Sequence, residues 1–318
     1  MLTEFFLLII GLTMLWVGAE LLVRYVSALA RSVGVSHLVL GLTVVSLGTS
    51  LPELVVSVLA VLQGDDGISI GNIIGSNVAN IALILGVGAL IVPLGIRMDW
   101  IRREVPYMIL VTGTFYFFSW TGGTISRLEG MILLGMLLFF LLYLGRDTLQ
   151  DMDEFKEMAK SEEVYLPRKT RLAYLGLTVL GIAILLVGSK LSVDSGTDLA
   201  VYLGVNDSII GLTLIALGTS LPELATTVVS AMRGEADLAV GNVVGSNIFN
   251  LALIGGLPSL IHPLHIAGEA NMLSVELPFL MGLSILLWPL MRNNLDIRRY
   301  EGIILLTIYG GFLWMTIH

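Results

Sequence analysis

Apolar residues run through this chain in long stretches, and polar residues gather in short clusters between them. The runs predict ten helices, near residues 3–26, 37–62, 68–94, 104–121, 126–146, 171–193, 207–232, 237–261, 272–291 and 300–317. Each reaches or approaches the roughly 20 apolar residues that cross a bilayer. A large soluble helical protein has no use for so much apolar surface, so the pattern predicts an all-α polytopic membrane protein. The longest polar break, Arg146–Arg171, separates five spans from five. It reads as a solvated linker over 147–170 with a short amphipathic turn. Its Asp151 and Asp153 lack the glycine turn and the bidentate glutamate of an EF-hand loop.

The two halves repeat each other. GTSLPEL occurs at Gly48–Leu54 and again at Gly218–Leu224, an offset of 170 residues. The same offset relates GNIIGSNVAN (Gly71–Asn80) to GNVVGSNIFN (Gly241–Asn250), Gly34-Val35 to Gly204-Val205, Gly41-Leu42-Thr43 to Gly211-Leu212-Thr213, and Pro93 to Pro263. One ungapped register over so long a stretch indicates duplication. Five spans per half is odd, so the second half, 171–318, is expected to enter the membrane from the side opposite to the first, 1–146. Inverted repeats of this kind are common in secondary transporters, where the site lies near the midplane between repeats.

The repeated stretches hold residues that are costly in an apolar helix. Pro52 and Pro222 lie within spans, each removing the donor for the carbonyl of Gly48 or Gly218. A broken helix leaves carbonyl oxygens that hydrocarbon cannot satisfy. One proline alone would read as a plain kink. Glu53 and Glu223 follow directly, and a carboxylate near the bilayer centre costs a few kcal/mol unless it faces a polar cavity or a counter-charge. Arg24 and Lys190, the nearest basic candidates, sit near span ends. Two glutamates at equivalent positions then either meet and share a cation or stand protonated as structural residues. Thr49, Ser50, Thr219 and Ser220 add hydroxyls beside the freed carbonyls. Asn72, Ser76 and Asn80 stripe one helix face at a spacing of four, and Asn242, Ser246 and Asn250 repeat the stripe. Ser76, Asn80, Ser246 and Asn250 read as ligand lining. Asn77 and Asn247, off the stripe, read as local structural residues. Gly71 and Gly75, with Gly241 and Gly245, have the spacing that lets helices pack closely.

Composition and charge narrow the chemistry. The chain is 56% hydrophobic and 13% charged, against about a quarter charged in soluble domains. With no cysteine, thiolate metal sites, disulfides and thiol catalysis are excluded. The N-terminus has no basic n-region or small-residue cleavage site and reads as the first span. The net charge of −8 comes with no basic patch suited to nucleic acid. Lys and Arg are strongly asymmetric: 15 of the 17 fall in alternate loops, and the intervening loops hold only Arg127, with Lys190 near a span end. The basic side is expected to be cytoplasmic, which puts the linker inside and both termini outside the cell membrane. Carboxylate, hydroxyl and carbonyl donors suit Na⁺ and Ca²⁺. With both glutamates ionised, one Ca²⁺ or two Na⁺ balances the site, and such competition is the basis of antiport. No Ser-His-Asp set, phosphate loop or metal-binding histidine pair supports an enzyme. His37, His262 and His265, near span ends, read as interfacial or loop residues.

The paired GTSLPEL and GNxxGSN motifs, in order and at one offset across the chain, resemble the paired alpha repeats of the calcium/cation antiporter superfamily, in particular its prokaryotic sodium/calcium exchangers. The resemblance implies ten helices in two inverted five-helix repeats, with spans 1 and 6 sliding across the rest. It also implies a site for one Ca²⁺ or several Na⁺, usually three, with no cofactor, in a protein that functions as a monomer. Carried over by motif position, the ligands are Thr49, Ser50, Glu53, Ser76 and Asn80, with Thr219, Ser220, Glu223, Ser246 and Asn250. Carbonyls near Ser46 and Ala216 complete the set. Relatives often carry Asp at the position of Asn250, and asparagine there argues against K⁺ co-transport. Two readings stand beside Na⁺/Ca²⁺ antiport: H⁺/Ca²⁺ antiport on the same glutamates, and a passive cation channel. Proton-coupled members usually carry a glutamate in the second motif, where this chain has GSN.

Overall fold

The computed structural model describes residues 2–33, 35–98, 100–159, 167–203, 216–266, 271–293 and 295–317. Its helices, in chain order, are α1 (Leu2–Val33), α2 (His37–Thr49), α3 (Leu51–Gln63), α4 (Asp66–Ile91), α5 (Val105–Gly122), α6 (Arg127–Ala159), α7 (Arg168–Tyr202), α8 (Ala216–Thr219), α9 (Leu221–Met232), α10 (Ala236–Ile261), α11 (Met272–Arg292) and α12 (Arg299–Ile317). Among the described residues, six helices are each long and apolar enough to cross a membrane: α1, α4, α6, α7, α10 and α11. A seventh such span is α2 with α3, bent by 45° at their junction. Shorter helices occupy the three other expected positions: α5, α8 with α9, and α12. The start of the expected span 207–232, with Gly204-Val205 and Gly211-Leu212-Thr213, lies outside the described residues.

Several boundaries differ from the sequence expectation, and α1 runs to Val33 rather than ending near residue 26. Helix α6 continues to Ala159, well past the expected end at residue 146. Nothing between Arg146 and Ala159 is a glycine or proline, and Leu, Gln, Met, Glu, Lys and Ala there favour helix, so charge alone does not end it. Helix α7 runs to Tyr202, past the expected end at residue 193, and carries Gly196 within it, a single glycine that weakens a helix without ending it.

Local chemistry sets the ends that matter for the site. Gly64 stops α3 with φ of 80°, a left-handed conformation that glycine adopts without penalty. Asp65 then accepts the Ile68 N–H at 3.0 Å and caps α4. The α4 and α10 helices form the centre of the bundle: 78% and 94% of their apolar windows are buried, against 33% or less for α1, α6, α7 and α11. The peripheral helices turn side chains such as Phe5, Phe6, Leu138, Phe139 and Leu142 outward. Lipid tails are as apolar as these side chains, so helix association depends on close packing. Helices α1 and α7 cross at paired glycines. A Cβ on Gly18 would lie 2.8 Å from the Gly181 oxygen, and one on Gly11 would lie 3.0 Å from the Gly188 oxygen. Likewise α10 approaches α2 through Gly241, whose added Cβ would lie 3.2 Å from the Gly41 Cα.

Four short strands tie the loops together. β1 (Leu94–Gly95) pairs antiparallel with β4 (Asp296–Ile297), and β2 (Thr124–Ile125) pairs with β3 (Leu264–His265). Each pair joins a loop of the first half to a loop of the second.

Candidate functional site

The break in each GTSLPEL stretch falls at the serine, two residues before the proline. Ser50 has φ −82° and ψ 7°, and Ser220 has φ −88° and ψ 5°, both outside helical values. Pro52 and Pro222 therefore stand in the first turn of α3 and α9, where a missing N–H costs nothing. The expectation of a break near the proline is met, and its position follows from this preference. The carbonyl of Gly218, which Pro222 cannot serve, accepts the Ser189 hydroxyl of α7 at 2.7 Å. Ser46 O accepts the Ser50 N–H at 2.9 Å and lies 3.3 Å from Thr49 Oγ1. Ala216 begins α8 at the equivalent position.

Glu53 and Glu223 are buried, 1% and 0% exposed. The two halves hold them reciprocally. Ser50 Oγ donates to Glu223 Oε1 at 3.0 Å, and Ser220 Oγ donates to Glu53 Oε1 at 3.2 Å. Thr49 Oγ1 lies 3.2 Å from Asn242 Oδ1, and Thr219 Oγ1 lies 3.4 Å from Asn72 Oδ1. Each glutamate is thus bonded by the serine of the other half. Among the described residues, neither carboxylate has an ion pair.

The second motif crosses over in the same way. Asn250 Nδ2 donates to Ser76 Oγ at 3.0 Å, and Ser76 Oγ in turn reaches Asn72 O at 2.6 Å. The equivalent pair differs: Asn80 Nδ2 donates to Asn247 Oδ1 at 3.0 Å. Asn247 thus bonds across the halves rather than locally, whereas Asn77 donates to Ile73 O within its own helix at 2.6 Å. Ser246 Oγ stands near the Glu223 carboxylate. Both motif helices widen into a π-helical turn here, at Ala79–Ile84 and Asn250–Ile254, which re-aims Asn80 and Asn250.

Five buried oxygens of the expected ligand set have no hydrogen-bond partner: Glu53 Oε2, Glu223 Oε2, Asn80 Oδ1, Asn250 Oδ1 and Ser246 Oγ. An unsatisfied buried acceptor costs about 1–3 kcal/mol, and a buried charge more. A hard cation removes that cost, and no nitrogen or sulfur donor from His or Cys lies in these motifs. The structure gathers Thr49, Ser50 and Glu53 with Thr219, Ser220 and Glu223, with Ser246 near Glu223, and joins Ser76 to Asn250, whereas Asn80 bonds to Asn247 instead.

Sequence reasoning missed the residues that hold the glutamate backbones. Asn72 Nδ2 donates to Glu53 O at 3.0 Å and to Ser57 Oγ at 2.9 Å. Asn242 Nδ2 donates to Glu223 O at 3.3 Å and to Thr227 Oγ1 at 3.2 Å. The signal was present: Ser57 and Thr227 are hydroxyl residues four places after each glutamate and 170 apart.

An all-α polytopic membrane protein with paired buried carboxylates and an oxygen-only lining belongs to the cation carriers by fold and site chemistry. The sequence profile of the sodium/calcium exchanger protein family matches residues 3–145 and 173–318, and the chain belongs to that family. It is 38% identical over 319 residues to the inner membrane protein YrbG of Escherichia coli, covering 98% of this chain and 95% of YrbG. It is 33% identical over 353 residues to the sodium/calcium exchanger MaX1 of Methanosarcina acetivorans, covering 98% and 97%. A solved structure of the sodium-calcium exchanger NCX_Mj, soaked with 2.5 mM Na⁺ and 0.1 mM Ca²⁺, superposes with a TM-score of 0.82 at 30% identity over 96% of each chain. The family is one of cation/Ca²⁺ antiporters, not enzymes. Its Na⁺ and Ca²⁺ are cargo, and it has no known cofactor.

Proposed function

We propose that this chain is a Na⁺/Ca²⁺ antiporter that exports Ca²⁺ by alternating access, using the inward Na⁺ gradient. The observation that carries the reading is the reciprocal serine–glutamate bonding, which makes one site from two halves and leaves five buried oxygens facing it without partners. Glu53 and Glu223 supply the charge. Thr49, Thr219, Ser50, Ser220, Ser76, Ser246, Asn80 and Asn250 supply neutral oxygens, and the backbone carbonyls of Ser46 and Ala216 complete the shell. With asparagine at both 80 and 250, two ionised glutamates balance one Ca²⁺ or two Na⁺, and a third Na⁺ makes exchange electrogenic. The relatives MaX1 and NCX_Mj are both sodium/calcium exchangers by name, which favours Na⁺ over H⁺ as the coupling ion.

The proposal includes ten spans in two inverted repeats, 1–146 and 171–318, joined by the linker 147–170, in a monomer of the cell membrane. Both termini are outside and the linker is cytoplasmic. Loop pairing supports this topology. β1 and β4 join loops on the basic side, and β2 and β3 join loops on the other side. Arg31 with Glu235 at 3.3 Å and Arg97 with Asp237 at 3.9 Å also join loops of the basic side.

The test uses purified protein in liposomes loaded with Na⁺ and diluted into Na⁺-free medium, with uptake of radiolabelled Ca²⁺ followed in time. Uptake that requires internal Na⁺ is the expected result. Uptake driven by a pH gradient instead assigns proton coupling. Uptake that proceeds with no opposing ion assigns a channel.

A further inference from the structure

The proposed core shell is built of oxygen donors, yet two histidines and a carboxylate converge at a different place. Asp66 opens α4, and His262 and His265 lie just beyond α10. One ligand atom from each of the three lies within 4.8 Å of the others. We propose that Asp66, His262 and His265 form a second metal site that binds Zn²⁺ or a similar borderline transition-metal dication.

The three residues are held for this. His265 sits in β3, paired with Thr124, and donates its backbone N–H to Asp66 Oδ2 at 3.0 Å. His265 Nδ1 lies 3.0 Å from the same oxygen. Asp66 Oδ1 is buried and has no hydrogen-bond partner, so this carboxylate keeps an unused acceptor beside the histidines. The two imidazole rings are 5.5 Å apart centre to centre, and both histidines are exposed. His262 has an extended backbone, φ −142° and ψ 134°, and Pro263 stiffens the link to Leu264. Tetrahedral zinc with bonds near 2.0–2.2 Å sets ligand atoms roughly 3.3 Å apart. Small rotations of two exposed imidazoles bring these atoms into that range, and water fills the open position.

Two imidazole nitrogens and one carboxylate favour Zn²⁺ over Ca²⁺, Mg²⁺ or Na⁺, which prefer all-oxygen shells. The site is therefore chemically distinct from the core set and does not depend on which ions the core carries. Its location gives it a consequence. Asp66 begins the helix that carries Asn72, Ser76 and Asn80, while His262 directly follows the helix that carries Ser246 and Asn250. A bound dication joins one end of each motif helix across the two halves.

The experiment is titration of untagged, full-length protein in nanodiscs with Zn²⁺, by calorimetry and by thermal unfolding, with Mg²⁺ as control. Wild type is expected to bind one Zn²⁺ saturably and to unfold at higher temperature when bound, with no response to Mg²⁺. His262→Gln and His265→Gln, both exposed, should fold normally and each weaken binding by about tenfold or more. Co²⁺ substitution should give the intense visible bands of a tetrahedral centre in wild type only. Absence of saturable Zn²⁺ binding by wild type overturns the proposal, as does undiminished, wild-type affinity in both histidine variants.

Discussion

Ser50 Oγ lies 3.0 Å from Glu223 Oε1, although the two residues are 173 positions apart in the chain. The bond makes the serine at one helix break the partner of the acid at the other. Its counterpart, Ser220 to Glu53, closes the exchange at 3.2 Å. Neither carboxylate is thus held by its own half alone.

The reciprocity predicts that both glutamates are indispensable. Glu53→Gln and Glu223→Gln keep size and lose the charge, so each should abolish Na⁺-dependent Ca²⁺ uptake into liposomes. Full activity in either variant removes the shared-carboxylate site.

Serine removal should be milder and matched between halves. A hydrogen bond to a charged group contributes about 1.5–3 kcal/mol, equivalent to roughly ten- to a hundredfold in affinity. Ser50→Ala and Ser220→Ala are each expected to raise the Ca²⁺ concentration for half-maximal uptake by a factor in that range. A change confined to one variant would mean that the two bonds are not equivalent.

Asn250→Asp adds a third carboxyl to the set. Protonated, it resembles the native asparagine in charge. Ionised, it raises the negative charge from two to three. The variant should therefore approach wild-type uptake in acid and depart from it as pH rises, with stronger dependence on Na⁺ at the alkaline end. Uptake measured across pH in parallel with wild type checks this, and superimposable profiles would count against Asn250 as a ligand.

Asn72→Ala and Asn242→Ala each withdraw the donor that a buried glutamate carbonyl accepts. Both glutamates lie inside helices, so each variant loses buried side-chain hydrogen bonds rather than the carbonyl's helical one, at about 0.5–1.5 kcal/mol per bond. Lower unfolding temperatures are expected for both, with reduced Ca²⁺ affinity, since each carbonyl belongs to a glutamate of the site.

Gly18→Val tests the crossing of α1 and α7. Its Cβ would lie 2.7 Å from the Leu185 nitrogen and 2.8 Å from the Gly181 oxygen, both backbone atoms that cannot rotate away. The helices must separate, at a cost of about 1–3 kcal/mol or more. Thermal unfolding monitored by size exclusion should show the loss, while Gly176→Val, where an added Cβ has nothing within 4 Å, should not.

Much of this was legible in the chain. Apolar runs marked the helices because the bilayer demands long segments with internally satisfied backbones. The offset of 170 residues marked the duplication, and Pro52-Glu53 with Pro222-Glu223 marked the broken helices. Periodicity did not reveal where α6 ends, because charged helix formers extend a helix as readily as apolar ones do. The role of Asn72 and Asn242 as supports for glutamate carbonyls was hidden as well. A stripe on a helix face shows that partners are required but not which atoms they are.

The sequence by itself determined the class, the repeat and the oxygen-rich character of the two motifs, since these follow from composition, spacing and the cost of polar groups in hydrocarbon. Only the tertiary structure decided which donor meets which acceptor. Ser50 reaches Glu223, Asn250 reaches Ser76, and Asn80 reaches Asn247 while Ser246 stays near Glu223. Such pairings join residues far apart in sequence. They are set by how closely glycine-lined helices approach and how π-helical turns aim their side chains, neither of which a linear pattern encodes.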